Sequence, residues 1–204
     1  RRPDRPVMTR AFVLLHGWQN HREDDHWHHW LHDRLAERGF LVRYPQLPDP
    51  DEPSLDAWID AHDREVAACG DAEVTVVCHS LSVPTWLHSA ARSRVPLVEN
   101  LLLVAPPSPS VLAEVGLSEF TWHPTGDDPT SARRAVMITG PDDPYCPEGA
   151  EDLYVTPLAI PHIVIPGGGH LSTPEGYGPW PQMLAWCLDP TTLPGVYEVS
   201  RAPS

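Results

Sequence analysis

The chain has 204 residues, enough for one domain with a sizeable core, and a formal net charge of −14. That charge argues against nucleic acid or an anionic membrane as a partner. All 14 basic residues other than His are Arg, so Schiff-base chemistry, a phosphate-binding P-loop lysine and a Ser-Lys dyad are all excluded.

Short apolar runs recur at Phe12–Leu15, Phe40–Val42, Val74–Val77, Leu101–Val104, Val136–Ile138 and Ile163–Ile165. Each is rich in Val, Ile or Leu and bounded by Gly, Pro or polar residues, which is the signature of buried strands. Helical patterns lie between several of them, at Trp27–Arg38, Leu55–Ala68, Pro84–Arg92 and Gly149–Tyr154, with a last one from Gly178 or Trp180 to Leu188. Alternation of this kind predicts an α/β fold, with a mainly parallel six-stranded sheet covered by helices on both faces. The segment Pro106–Arg134, with five prolines between 106 and 129, is the least regular. It is expected to form a pocket wall rather than a cap domain, being too short for a separate layer.

The domain is read as residues 10–190, between an N-terminal extension (1–9) and a C-terminal surface tail (191–204). No apolar run reaches the length of a membrane span, and Arg1–Arg10 lacks the apolar core of a signal peptide. The expectation is a cytoplasmic protein, with some residues before Met8 lying upstream of the natural fold. Cys69, Cys78, Cys146 and Cys187 are widely spaced without a CxxC pair and read as reduced thiols.

The stretch Val76-Val77-Cys78-His79-Ser80-Leu81-Ser82 places a serine between a strand and a helix. This is the layout of a nucleophile elbow, whose turn lifts the hydroxyl above the sheet while the helix N-terminus offers amide donors. Small residues are needed two before and two after the serine, where strand and helix nearly touch. Here Cys78 and Ser82 stand where glycine is usual. His79 is expected to point away from the site as a hydrogen-bonded packing residue, and Cys78 to be an inert buried thiol.

A nucleophilic serine needs a base, and the base an orienting carboxylate. The fifth run leads into Gly140-Pro141-Asp142-Asp143-Pro144-Tyr145-Cys146-Pro147, and the sixth into Gly167-Gly168-Gly169-His170. Both lie just past a strand, in the chain order Ser, Asp, His. After the first run comes His16-Gly17-Trp18. The Trp18 and Leu81 backbone amides are positioned to receive an oxyanion, with His16 read as a turn residue bonded to backbone. His28 and His32, at i and i+4, suit a metal by spacing, but the His-Glu-x-x-His order is missing and a solvated helix face explains them as well. No metal or other cofactor is expected.

These motifs together resemble the small YdeN-type serine hydrolases, which include retinoblastoma-binding-protein-like members. The resemblance covers roughly residues 10–190. It is carried by His16-Gly17-Trp18, Trp27 with Trp30-Leu31, the Cys-His-Ser-Leu-Ser elbow, Asp142 to Pro147, and Gly169-His170 followed by Gly176-Tyr177-Gly178-Pro179-Trp180-Pro181. It implies an α/β-hydrolase fold with little or no cap, Ser80 as nucleophile, His170 as base, and Asp143 rather than Asp142 as the acid. Trp18, Trp27, Phe120, Trp122 and Tyr145 are expected to line the pocket, pointing to a small-molecule substrate with an aromatic or apolar acyl group. The expected activity is carboxylesterase-like hydrolysis of an ester, thioester or amide through an acyl-enzyme. Two other readings stand beside it: acyl transfer or cyclisation on the same machinery, and a non-catalytic binding protein on a hydrolase scaffold. The last would show itself in a Ser80 hydroxyl more than about 4 Å from the His170 ring.

Overall fold

The apolar runs form the strands of one sheet in a computed structural model that describes residues 9–124, 130–192 and 198–199. In chain order these are β1 (Arg10–Leu15), β2 (Leu41–Arg43), β3 (Glu73–His79), β4 (Val98–Val104), β5 (Ala132–Thr139) and β6 (His162–Val164). They lie in the order β2-β1-β3-β4-β5-β6, all parallel. The residues Glu198–Val199 add a seventh strand, β7, antiparallel to β6. Part of the expected surface tail is thus paired to the sheet edge.

Period-2 alternation sorts each strand between two cores. Ala11, Val13, Leu15, Val76, Cys78, Leu101, Leu103 and Met137 face one side, and Phe12, Leu14, Val77, Leu102, Val104 and Ile138 the other. On the first side lie α2 (Leu55–Ala67) and α3 (Ser82–Ala91), whose Trp58 and Trp86 are fully buried. The second is covered by α1 (Trp27–Ala36) and α6 (Pro181–Leu188), with Trp27 and Trp186 inside. Strands apolar on both faces need helices on both, and that demand produces the three-layer arrangement.

α3 begins two residues earlier than the helical pattern indicates, at Ser82, because Pro84 fits a first helical turn, where no intrahelical N–H is required. The proline-rich segment holds a short helix, α4 (Pro109–Glu114), with Ser108 as N-cap, and a 3-10 turn at Ser118–Phe120. Of that segment, 125–129 fall outside the described residues. The helix expected near 149–154 is a π-helical turn, Glu151–Val155, running into α5 (Thr156–Leu158). Among the described residues no helix is long and apolar enough to cross a membrane.

Candidate active site

Four parallel strands end at one edge of the sheet: β1 in His16-Gly17-Trp18, β3 in Ser80, β5 in the Asp142-Asp143 loop, β6 in the loop to His170. That edge, outside the carboxyl ends of the strands, is where open α/β sheets place ligands.

Ser80 occupies the corner between β3 and α3 with φ +54°, a left-handed conformation that a side chain disfavours. A strained serine at a strand–helix corner is the geometry of a nucleophile elbow. Its Oγ lies 2.9 Å from Nε2 of His170. Nδ1 of His170 lies 2.9 Å and 3.0 Å from the two carboxylate oxygens of Asp143. Asp143 is buried, and its Oδ1 also accepts the Tyr145 N–H at 2.8 Å, which fixes the carboxylate from behind. Asp142, the competing acid, is exposed and accepts the Gly169 N–H at 3.1 Å.

Two glycines allow these loops to converge. A Cβ on Gly17 would stand 2.7 Å from Cβ and 3.2 Å from Oγ of Ser80, so the β1 loop approaches the serine only as glycine. A Cβ on Gly140 would overlap the backbone of Gly169, so only glycine there lets the Asp143 and His170 loops approach each other. The Trp18 and Leu81 amides have no hydrogen-bond acceptor among the described residues. The Leu81 amide stands where α3 begins, and the α3 dipole favours negative charge there.

The two residues in place of the elbow glycines are accommodated differently. Cys78 is buried in the β3 core, and burial pushes its thiol well above the usual range, so it is inert. Ser82 is also buried, and its hydroxyl donates to the His16 carbonyl at 2.5 Å, with Nε2 of His62 at 3.3 Å. His16 is bonded to backbone: Nδ1 donates to Gly17 O at 2.8 Å and Nε2 accepts the Leu47 N–H at 2.8 Å. Burial pushes its pKa down to about 4, leaving it neutral at physiological pH. The other three cysteines are free and buried as well.

Ser80 and His170 open into a cavity of about 720 Å³. Trp18 and Tyr145 line it, and the Tyr145 ring lies 4.4 Å from that of His170. The remaining aromatics expected there do not. Trp27 is fully buried, edge-on to Trp180 at 5.2 Å; Phe120 packs on Trp58 at 5.9 Å; Trp122 stacks on Tyr154. Their apolar area drew them into the two cores, and the wall is instead Pro107 and the α4 residues Val111 and Leu112, with Val115 and Leu117 just beyond. The Ser-Pro start and the Val111-Leu112-Val115 spacing are the sequence signal for that helix. Glu23, Asp25 and Glu175 are the acidic residues of the lining.

Of the histidine-rich stretch, His28 is buried between Trp27 and Tyr44, while Nδ1 of His32 sits 2.9 Å from Asp33. Among the described residues no group of three His, Cys, Asp or Glu is placed to hold a metal ion.

A parallel sheet with helices on both faces and a strained serine at the end of β3 defines an α/β-hydrolase fold of small size, without an obvious cap among the described residues. The serine hydrolase family matches residues 12–187, and the chain belongs to that family. It is 25% identical over 198 residues to the hydrolase-named YdeN protein of Bacillus subtilis, covering 94% of this chain and 95% of that one. The crystal structure of the B. subtilis ydeN product superposes with a TM-score of 0.73 at 23% identity, over 87% of this chain and 96% of that chain. A YdeN-like protein of Pectobacterium atrosepticum gives the same TM-score, 0.73, at 18% identity, over 92% and 94%. The chain is thus a YdeN-type hydrolase.

Proposed function

We propose that this hydrolase cleaves a small-molecule ester, thioester or amide through an acyl-enzyme on Ser80. The observation that carries the reading is the unbroken contact series from Ser80 Oγ through the His170 ring to the Asp143 carboxylate, at 2.9 Å each. His170 takes the Ser80 proton as Oγ attacks the carbonyl carbon. The imidazolium so formed is stabilised by Asp143, which holds Nδ1. The tetrahedral oxyanion accepts hydrogen bonds from the Trp18 and Leu81 amides. As the intermediate collapses, His170 returns the proton to the leaving alcohol, thiol or amine. Water then repeats the cycle on the acyl-serine and releases the acid.

A Ser80–His170 separation of 2.9 Å supports this reading over a scaffold that only binds, for which a gap beyond about 4 Å is the expected sign. The α4 wall suits an apolar acyl group, and carboxylesterase-like chemistry is the form we assign. No cofactor enters the scheme.

A fluorophosphonate probe tests it. Wild type is expected to form one covalent adduct, located at Ser80 by peptide mass spectrometry, and Ser80→Ala none. An unlabelled wild type, or equal labelling of Ser80→Ala, would overturn the assignment.

A further inference from the structure

The loop that carries His170 is gripped through its backbone at three consecutive residues, by side chains from three elements. The Gly169 N–H donates to Oδ1 of Asp142 at 3.1 Å. The His170 carbonyl accepts from Nε2 of His79 at 3.0 Å. The Leu171 carbonyl accepts from the indole N–H of Trp27 at 2.9 Å. His79 is the last residue of β3 and Trp27 the first of α1; both are buried, with their rings edge-to-face at 5.6 Å.

Within the loop two turn bonds, Gly168 N–H to Ile165 O and Leu171 N–H to Gly168 O at 3.0 Å each, leave the His170 carbonyl to be held from outside. Gly167 and Gly169 have positive φ, and glycine restrains its backbone least of all residues. Leu171 has φ +52°, a conformation that a residue with a Cβ keeps only where its surroundings over-determine it. Asp143 orients the ring of His170 through Nδ1, but a contact at the ring leaves the position of the backbone open. The bonds from His79 and Trp27 act on the backbone. His79 is also covalently joined to Ser80, so the donor that holds the base is carried on the same corner as the nucleophile.

We propose that His79 and Trp27, with Asp142 at the outer end, are positioning residues that hold the His170 imidazole over Ser80. The proposal rests on the reading of Ser80 and His170 as nucleophile and base. Trp27 does not line the cavity, whereas His79 does, against the expectation that it points away from the site; the role proposed for each runs through the main chain of the base loop. Burial keeps the His79 pKa well below its usual value, so its ring is neutral and donates from Nε2 without adding charge beside His170. A displacement of the base by about 1 Å is enough to lower a rate by roughly 100-fold.

The test compares Trp27→Phe, which keeps an aromatic ring in the core but loses the donor, His79→Leu, which loses the donor, and His79→Gln, which keeps one. Two readouts are used: hydrolysis of p-nitrophenyl butyrate, and the low-field NMR resonance of the His170 Nδ1 proton held by Asp143, which needs no substrate. Trp27→Phe and His79→Leu are expected to lower kcat by about 10-fold or more with KM within about twofold, and to broaden the low-field resonance through faster exchange. His79→Gln should recover part of both. Folded Trp27→Phe and His79→Leu proteins with wild-type kcat and a wild-type resonance would overturn the proposal. A wild type that shows the resonance but neither turns over esters nor labels at Ser80 would overturn the hydrolytic reading instead, and the resonances of the variants would still decide on the positioning role. Should the core variants fail to fold, exposed Asp142→Ala decides: an unchanged resonance and unchanged kcat count against the clamp, and a several-fold loss of kcat at constant KM supports it.

Discussion

The Ser82 hydroxyl donates to the carbonyl of His16 at 2.5 Å, joining the first residue of α3 to the end of β1. A glycine at position 82 could not make this bond. The hydroxyl restrains the start of the loop that presents the Trp18 amide, so the departure from the usual elbow glycine adds a contact as well as bulk. Both partners are buried, and Ser82→Ala leaves the His16 carbonyl without this donor, at an expected cost of about 1–3 kcal/mol in stability. Ser82→Gly should cost that and about 0.5–1 kcal/mol more, from backbone entropy in the first turn. Both should lower kcat several-fold at nearly constant KM, because the oxyanion donor is loosened more than substrate binding. Urea unfolding with steady-state kinetics measures this; a faster Ser82→Gly enzyme would show that the hydroxyl only crowds the corner.

Gly17 offers a sharper perturbation of the same junction. An alanine there puts its Cβ 2.7 Å from that of Ser80, a distance real side chains do not adopt, so the β1 loop must retreat. Gly17→Ala is expected to remain folded, since the clash is confined to the sheet edge, and to lose about 100-fold or more in kcat/KM. Circular dichroism and ester hydrolysis on the same sample check both halves. Near wild-type activity would mean that the loop has slack the packing does not reveal.

Much of this site was legible in the chain because its parts are local. Ser80 directly follows an apolar β-branched strand and Asp143 and His170 lie on the loops that leave two others, and a parallel sheet brings the ends of such strands to one edge whatever the connections between them. The pocket wall was not legible in the same way. Trp27, Phe120 and Trp122 look like pocket residues by type, yet burial in a core offers an indole or phenyl ring more than a solvated mouth does, and all three went inward. The wall came from α4, six residues among prolines, whose only marks in the sequence are the Ser108-Pro109 start and the spacing of Val111, Leu112 and Val115. Least visible of all were bonds between distant residues: Ser82 to His16 spans 66 positions and Trp27 to Leu171 spans 144, and no spacing rule announces either.

The buried histidines set a pH limit on stability. Burial lowers His16 and His26 to about 4 and His62 to about 3, and places His28 and His79 well below the usual value. In the unfolded chain these imidazoles titrate near 6.5. Below that pH the unfolded state therefore binds more protons than the folded one, and stability falls with falling pH; the contributions of His16 and His26 level off near their folded values of about 4 and that of His62 near about 3. Each group contributes up to about 1.4 kcal/mol per pH unit, and a domain holds only about 5–15 kcal/mol in all. The contribution of these imidazoles should be full above about pH 7 and be lost progressively as pH falls through about 6.5. Urea midpoints at half-unit steps from pH 8 to 5.5 give the slope. His62→Gln should reduce proton uptake on unfolding by roughly one in the lower part of that range. A flat profile down to pH 5.5 would mean that these rings are solvated in the folded state.

The charge of the cavity predicts what the enzyme refuses. Glu23, Asp25 and Glu175 are the acidic groups among its described lining residues, and no Arg stands among them, in a chain with no lysine at all. The wall at Val111 and Leu112 offers an acyl group only apolar contact. An acyl chain ending in a carboxylate therefore meets like charge at the mouth and desolvation at the wall, with no cation to offset either. Mono-p-nitrophenyl succinate, similar in size to p-nitrophenyl butyrate but anionic, should show a kcat/KM at least about 10-fold lower at low ionic strength. The gap should narrow in about 0.5 M NaCl, where the Debye length falls to a few ångströms and exposed carboxylates are screened. Glu23→Gln with Asp25→Asn should narrow it further and leave the butyrate ester little affected; Glu175 is set aside because its carboxylate caps the Ser172 turn beside His170. Equal kcat/KM for the two esters at low salt would show that the acyl end lies away from these carboxylates, and that the leaving group faces them instead.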